Sequence, residues 1–427
     1  METVLYPPLE DWDKLCKRTS INLEKIEMVC REVFDEVSRD GDKALSRYTE
    51  LYDRVKIDDF AVSDEEKAAC GDKVPEELKR AILTAKANIE KFHRSQLYTP
   101  TPIETSQGVC CRQEIRPISR VGLYIPGGQA PLFSTVLMLA VPASVAGCSE
   151  VVLCSPPNAS GEINPIVLWT AIECGVKKIY KVGGTQAIAA MTLGTETIPS
   201  VYKIFGPGNQ YVMAAKQLAQ RYGVAIDMPA GPSEVMVVAD DTARAKYVAA
   251  DMLSQAEHGP DSQSILATSS KRLASEVEKE VERQLALLPR REVAIKSLLH
   301  SRIVVLEDVS QCIAFSNAYA PEHLILSVES PEEWVEKISD AGSVFMGHYT
   351  PESAGDYASG TNHTLPTSSY ARTYSGVNMD AFVKKITFQS ISREGLKNLS
   401  STIMTMAQNE CLDAHSRAVS IRLEDDN

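Results

Sequence analysis

Val121-Gly-Leu-Tyr-Ile-Pro-Gly-Gly128 opens the pattern that decides the fold. A short apolar run ends in a glycine turn, and a helix is expected next, from about Pro131 to Gly147. The unit then repeats. Glu150-Val-Val-Leu-Cys154 ends at Ser155-Pro156-Pro157 and leads to a helix around Pro165 to Cys174. Lys178-Ile-Tyr-Lys-Val182 ends at Gly183-Gly184 and leads to a helix from Thr185 to Leu193. Ser200-Val-Tyr-Lys-Ile204 ends at Gly206-Pro207-Gly208-Asn209. Four strand–glycine–helix units in succession imply a parallel sheet with helices on both faces. Functional groups are expected at the carboxyl ends of these strands.

Outward from this block the pattern changes on both sides. Residues 1 to about 100 read as mostly helical, from Ile21 to Val37 and from Pro75 to Phe92. In the latter, Ile82, Leu83, Ile89 and Phe92 fall on one side. Thr99-Pro100-Thr101-Pro102 reads as a hinge or loop, and Cys110 to Pro117 as a strand. Downstream, a second α/β set is expected. It comprises Glu234-Val-Met-Val-Val238, a helix ending at His258, Ser264-Ile-Leu-Ala267, a long helix from Lys271 to Leu288, and Ser301 to Leu306. The tail from Ala381 reads as helical. The expected organisation is a mostly helical region over 1–118, a first α/β domain over 119–230, a second over 231–380 and a helical tail over 381–427.

Composition bounds the function. The chain has 427 residues, 44% of them hydrophobic and 24% charged, as in ordinary soluble proteins with two or three domains. A formal net charge of -13 argues against nucleic acid and anionic membrane as partners, because both demand basic patches. Met1 to Asp11 lacks the basic and apolar regions of a signal peptide. The apolar stretch Leu132 to Cys148 is interrupted by Ser, Thr, Gly and Pro, and falls short of a membrane span. A cytoplasmic location is expected. The ten cysteines are scattered and form no disulfide framework.

Ala249-Ala-Asp-Met-Leu-Ser-Gln-Ala-Glu-His-Gly-Pro260 carries the first chemical signal. It reads as a helix stopped by Gly-Pro, with Gln255 and His258 three apart on one face of its last turn. A neutral oxygen and an imidazole nitrogen make half of an oxygen/nitrogen site for zinc. His323 follows Glu322 in a turn before an apolar run. Such a pair can serve one cavity as two bases, although local sequence alone favours a surface Glu and a capping His by roughly two to one. Asp356 lies in a polar stretch, Glu352 to His363, which reads as a binding loop or a surface loop with equal weight. Glu410 and His415 are five apart and do not share a helix stripe; alone, His415 reads as an exposed helix residue. No Gly-x-Gly-x-x-Gly occurs, yet the glycine turns near Tyr124, Gln186 and Asn209 would let a ligand approach backbone amides. Plain chain reversal accounts for most such turns.

Together these segments closely resemble the histidinol dehydrogenase family. The resemblance is carried by Val121 to Gly128, Phe205-Gly-Pro-Gly-Asn209, Ile226 to Glu234, Leu253 to Ser262, Pro321-Glu-His-Leu324 and Pro351 to Thr364, in the family's order. It implies two incomplete Rossmann-like parallel-sheet domains, similar to aldehyde dehydrogenases, with helical extensions at both termini and the tail exchanged across a homodimer. It implies a zinc enzyme that oxidises L-histidinol to L-histidine with two NAD. By the family pattern, Gln255, His258 and Asp356 hold zinc with His415 of the other subunit. Glu322 and His323 form the catalytic pair. Ser233 and Glu410 contact substrate, as do His323 and the zinc ligands, and Tyr124, Gln186 and Asn209 bind NAD. Three rivals remain at this point: a related zinc and NAD dehydrogenase of another small polyol such as a sulfonated diol, a zinc hydrolase using Glu322, and a non-catalytic metal-binding protein.

Overall fold

The computed structural model describes residues 1–18, 23–127, 131–229 and 231–424. Ile21, Gly128 and Ala230, which figure in the expected helix, glycine turn and family stretch, lie outside them. The chain divides into two compact units, residues 1–96 with 118–382, and residues 97–117 with 383–427.

The first unit holds two parallel sheets. One has five strands in the order Lys178–Lys181, Glu150–Ser155, Arg120–Tyr124, Lys203–Phe205, Ala225–Ile226. Numbered along the chain this is 3-2-1-4-5, the winding of a dinucleotide-binding half. All four expected strands are present, the last shifted toward Phe205. The other sheet has six strands in the order Glu2–Leu5, Arg302–Val305, Gln263–Thr268, Glu234–Ala239, His323–Ser327, Ser343–Met346. Leaving aside the first, it repeats the 3-2-1-4-5 order, so the two sets are wound alike. Strands Glu234–Ala239, Gln263–Thr268 and His323–Ser327 are buried at every residue. Burial on both faces is why they read as unbroken apolar runs.

Three expectations are corrected. Glu2–Leu5 is a strand, parallel to Arg302–Val305. The helix Glu76–Arg94 buries Ile82, Ala85, Ile89 and His93, whereas Leu83 and Phe92 are 43% and 41% exposed. The stripe that faces the core therefore runs through Ala85 and His93. The helical tail begins with a strand, Val383–Ile391, before helices Arg393–Asn409 and Asp413–Glu424.

That strand belongs to the second unit. It pairs antiparallel with Val109–Pro117, from Val383 opposite Pro117 to Ile391 opposite Val109, and Ile103–Ser106 completes a three-stranded sheet. Ile386, Phe388, Ile391, Met406 and Leu412 of this unit are exposed. All ten cysteines are free, and five are buried. Among the described residues, no helix is long and apolar enough to cross a membrane.

Candidate active site

Strands Glu234–Ala239 and His323–Ser327 lie side by side, with His323 opposite Val235. Their amino ends, not their carboxyl ends, carry the chemistry of this sheet. At the carboxyl ends, His348 bonds Ser327 Oγ at 2.9 Å and Thr242 Oγ1 at 3.1 Å, and Asp240 accepts from the backbone of Thr242 and Glu329. At the amino ends, Glu322 accepts a hydrogen bond from the Glu234 N–H at 2.8 Å. His323 Nδ1 lies 3.2 Å from the Glu234 carbonyl oxygen. A carbonyl can only accept, so Nδ1 carries a proton and, in the neutral ring, Nε2 holds the lone pair. Nε2 is buried without a hydrogen-bond partner and lies 3.6 Å from Asp356 Oδ1.

Glu352 and Asp356 come from a short helix, Glu352–Tyr357. Their spacing of four puts both on one side of it. The polar stretch is thus helical at its start, and its chemical groups are buried rather than displayed on a surface loop. Glu352 Oε1 and Glu322 Oε2 lie 3.7 and 3.6 Å from His323 Nδ1. Burial pushes Glu322 up to about 7. Burial also raises Glu352, with the negative charge of Asp356 adding to it. His323 is lowered by burial but raised more by Glu352, Glu322 and Asp356, to about 10.

These groups suit a divalent cation. Helix Ala245–Ala256 ends beside the cavity with Gln255 fully buried and both of its side-chain polar atoms unpartnered. His258 follows the helix, its N–H bonded to the Gln255 carbonyl at 3.2 Å. Ligand atoms of His258, Glu352 and Asp356 lie within 4.8 Å of one another. Burying an amide oxygen without a partner is costly, and a metal would take up Gln255 Oε1. His363 holds the short helix in place, with Nδ1 3.0 Å from the Asp356 carbonyl. Ser233, Gln255, His258, Glu322, His323, Glu352 and Asp356 line one cavity of about 160 Å³.

The first sheet presents the carboxyl ends of its strands, as expected. Tyr124, at the end of its strand, accepts the Gly184 N–H at 3.1 Å. Gln186 is buried, and its Oε1 is unpartnered. Asn209 caps helix Gln210–Ala219 by accepting from the N–H groups of Tyr211 and Val212. Gln186 and Asn209 line a cavity of about 470 Å³ with Asp53 and Tyr211. Tyr124 and Asn209 also line one of about 410 Å³ that reaches Ser233 and His258. The Gly206–Asn209 turn is anchored from below. Lys216 Nζ, 2.5 Å from Asp227, donates to the Gly206 carbonyl at 2.7 Å, and Asp227 accepts the Gly206 N–H at 2.8 Å.

A model of the histidinol dehydrogenase family matches residues 16–423. The chain belongs to the histidinol dehydrogenase family. It is 55% identical to histidinol dehydrogenase of Bacteroides thetaiotaomicron over 423 residues, covering 99% of each chain. It is 51% identical to that of Escherichia coli over 417 residues, covering 97% of this chain and 95% of the relative. The crystal structure of histidinol dehydrogenase from Elizabethkingia anophelis superposes with a TM-score of 0.98 at 55% identity, covering 100% of this chain and 98% of that one. An acetylating aldehyde dehydrogenase of Geobacillus thermoglucosidasius shares the fold, at a TM-score of 0.50 and 14% identity over 90% of this chain and 94% of that one.

Of the residues assigned from the family pattern, six meet in the small cavity: Ser233, Gln255, His258, Glu322, His323 and Asp356. Tyr124, Gln186 and Asn209 line the neighbouring cavities. Glu410 and His415 are carried by the second unit and are exposed; Glu410 closes helix Arg393–Asn409, and His415 lies in the next helix, so no single helix holds both. Sequence reading gave no role to Glu352 or His363. The spacing of Glu352 four before Asp356 was the available signal, once that stretch is taken as helical.

Proposed function

We propose that this protein oxidises L-histidinol to L-histidine through an aldehyde, with two NAD and a bound zinc, as a step of histidine biosynthesis. The observation that carries this reading is the pair Glu322 and His323, bonded to one residue of the neighbouring strand and facing an unpartnered Gln255 beside His258 and Asp356. Gln255, His258 and Asp356 would hold the zinc with the partner subunit's His415. Tyr124, Gln186 and Asn209 would face NAD. Ser233 and Glu410 would bind substrate.

When bound, zinc positions the amine and imidazole nitrogens of the substrate, and NAD takes the hydrides. The remaining work falls to the chain. His323 Nε2 removes the hydroxyl proton as the first hydride leaves, giving the aldehyde. The carboxylate of Glu322 takes a proton from water as its oxygen adds to the aldehyde carbon, and protonated His323 gives its Nε2 proton to the carbonyl oxygen, which forms the hydrate and returns a neutral ring. His323 Nε2 then removes a hydroxyl proton from the hydrate as the second hydride leaves, giving the acid. The Glu234 carbonyl keeps the other proton on Nδ1, and a cation held by Asp356 would offset the carboxylates that otherwise hold the ring protonated, which leaves Nε2 as the base.

His415 is exposed within its own chain, and the second unit leaves Ile386, Phe388 and Met406 exposed. Both facts support a homodimer whose sites are shared between subunits. The test is NADH absorbance on zinc-replete protein. L-histidinol should yield two NADH per molecule, while sulfonated diols yield none. Turnover of a diol without turnover of histidinol would overturn the substrate.

A further inference from the structure

Both catalytic side chains are bonded to the backbone of one residue. The Glu234 N–H holds Glu322, and the Glu234 carbonyl faces His323 Nδ1. The side chain of this same residue, 2% exposed, is clamped. Arg18 donates Nε to Oε1 at 3.0 Å and Nη2 to Oε2 at 2.9 Å, a fork-to-fork pair. The Ser368 N–H adds a third bond to Oε1 at 2.8 Å. Arg18 is itself held on every side. Its guanidinium lies 3.5 Å over the Tyr319 ring. Nη2 reaches the Tyr319 carbonyl at 2.7 Å, and Nη1 reaches Ser369 Oγ at 2.6 Å and the Cys16 carbonyl at 3.2 Å. Tyr319 is anchored through its hydroxyl to Gln263 at 2.6 Å.

A buried ion pair of this kind is a poor source of stability, since apolar groups of like volume often serve as well. It is a good way to fix a backbone. We propose that Arg18 is a positioning residue for the oxidation: acting through Glu234, it fixes the backbone groups to which Glu322 and His323 are both hydrogen-bonded. Displacing that backbone by even about 1 Å would misplace both bases together, which can lower the rate roughly 100-fold. Arg18 touches neither substrate nor cofactor in this account, so binding should survive its loss. The inference rests on the reading of Glu322 and His323 as the catalytic pair.

The test uses the full-length, zinc-replete enzyme. Arg18→Gln should lower kcat for histidinol about 10- to 100-fold, with KM for histidinol and NAD changed less than about threefold and zinc content unchanged. Arg18→Lys should recover part of kcat, and so should guanidinium ion added to Arg18→Gln. A folded, zinc-loaded Arg18→Gln enzyme with kcat within about twofold of the parent would overturn the proposal. A loss of kcat accompanied by loss of zinc and rescued by neither the lysine nor guanidinium would also overturn it, leaving a structural role only. Should Arg18→Gln fail to fold because Glu234 is left buried and unpaired, the double variant Arg18→Met with Glu234→Gln removes both charges. It should fold, keep zinc and lose kcat, and a normal kcat there would overturn the proposal. Glu322→Gln and His323→Asn run in parallel separate the two readings. Normal turnover in those variants sinks the catalytic pair itself; impaired turnover in them beside a normal Arg18→Gln sinks the role of Arg18 alone.

Discussion

Glu322 is buried beside His323 and is bonded to a backbone N–H that would serve a glutamine oxygen equally well. Glu322→Gln should therefore preserve the shape of the site while removing its capacity to take a proton. Only hydration of the aldehyde requires that proton. The variant should lose aldehyde-to-acid turnover by about 100- to 10,000-fold, while reduction of the aldehyde to the alcohol continues. Following NADH formed and consumed from histidinal separates the two, and equal loss in both directions would contradict the water-activating role. At this scale short motifs, such as Gln255 with His258 and Glu322 with His323, marked the candidates, although local sequence favoured a surface Glu and a capping His where both residues are buried. Glu352 was not, because nothing in its immediate neighbours marks it. Its place near His323 depends on a helix turn that brings residue 352 and residue 356 to the same side. The opposite held for Gln255 and His258: the helix ends at Ala256, so His258 reaches the cavity from beyond the helix end, not from its last turn.

Strands buried on both faces could be read from sequence, and two exposed strands could not. The central strands are continuous apolar runs that end in glycine turns, and their neighbours in space follow from the parallel winding. Glu2–Leu5 is short, at the sheet's edge, and mostly exposed. Val383–Ile391 is exposed along nearly its whole length. Neither is a continuous apolar run, and each is a strand because of a partner far away in the chain. The turns at strand ends were also legible as turns, but not the means that hold them. Gly206 has φ of 137°, and a Cβ there would collide with the Tyr124 carbonyl. The Lys216–Asp227 pair, 3% and 0% exposed, bonds both the N–H and the carbonyl of that glycine. Lys216→Met should leave Asp227 buried and unpaired, at a cost of about 3–5 kcal/mol. The loosened turn should also raise KM for NAD while leaving zinc content alone. Urea unfolding and NAD saturation curves check the two parts, and an unchanged midpoint would show that the pair adds nothing.

For the molecule as a whole, the proposed sharing of sites between subunits has a direct test. Subunits bearing His258→Ala and subunits bearing His415→Ala should each be inactive as homodimers. In a mixed dimer one site receives both lesions and the other receives neither. Random pairing would give about half of the dimers one intact site, and roughly a quarter of full activity in total. No recovery after verified exchange would place His415 outside the partner's site. This level of organisation was visible only through family resemblance, since no local pattern marks a residue as belonging to another chain's site. The edge strand Glu2–Leu5 bears on how the chain is made. Its strand partner, Arg302–Val305, is some three hundred residues downstream. At about 5–20 residues per second, the ribosome needs roughly 15–60 s to deliver the second strand after the first. Arg18 likewise waits for Glu234 and Tyr319. The first sheet can form while its residues emerge, but the second cannot close until late in translation. Until then the amino-terminal segment lacks the strand partner it has in the folded chain, and it stays open to a chaperone.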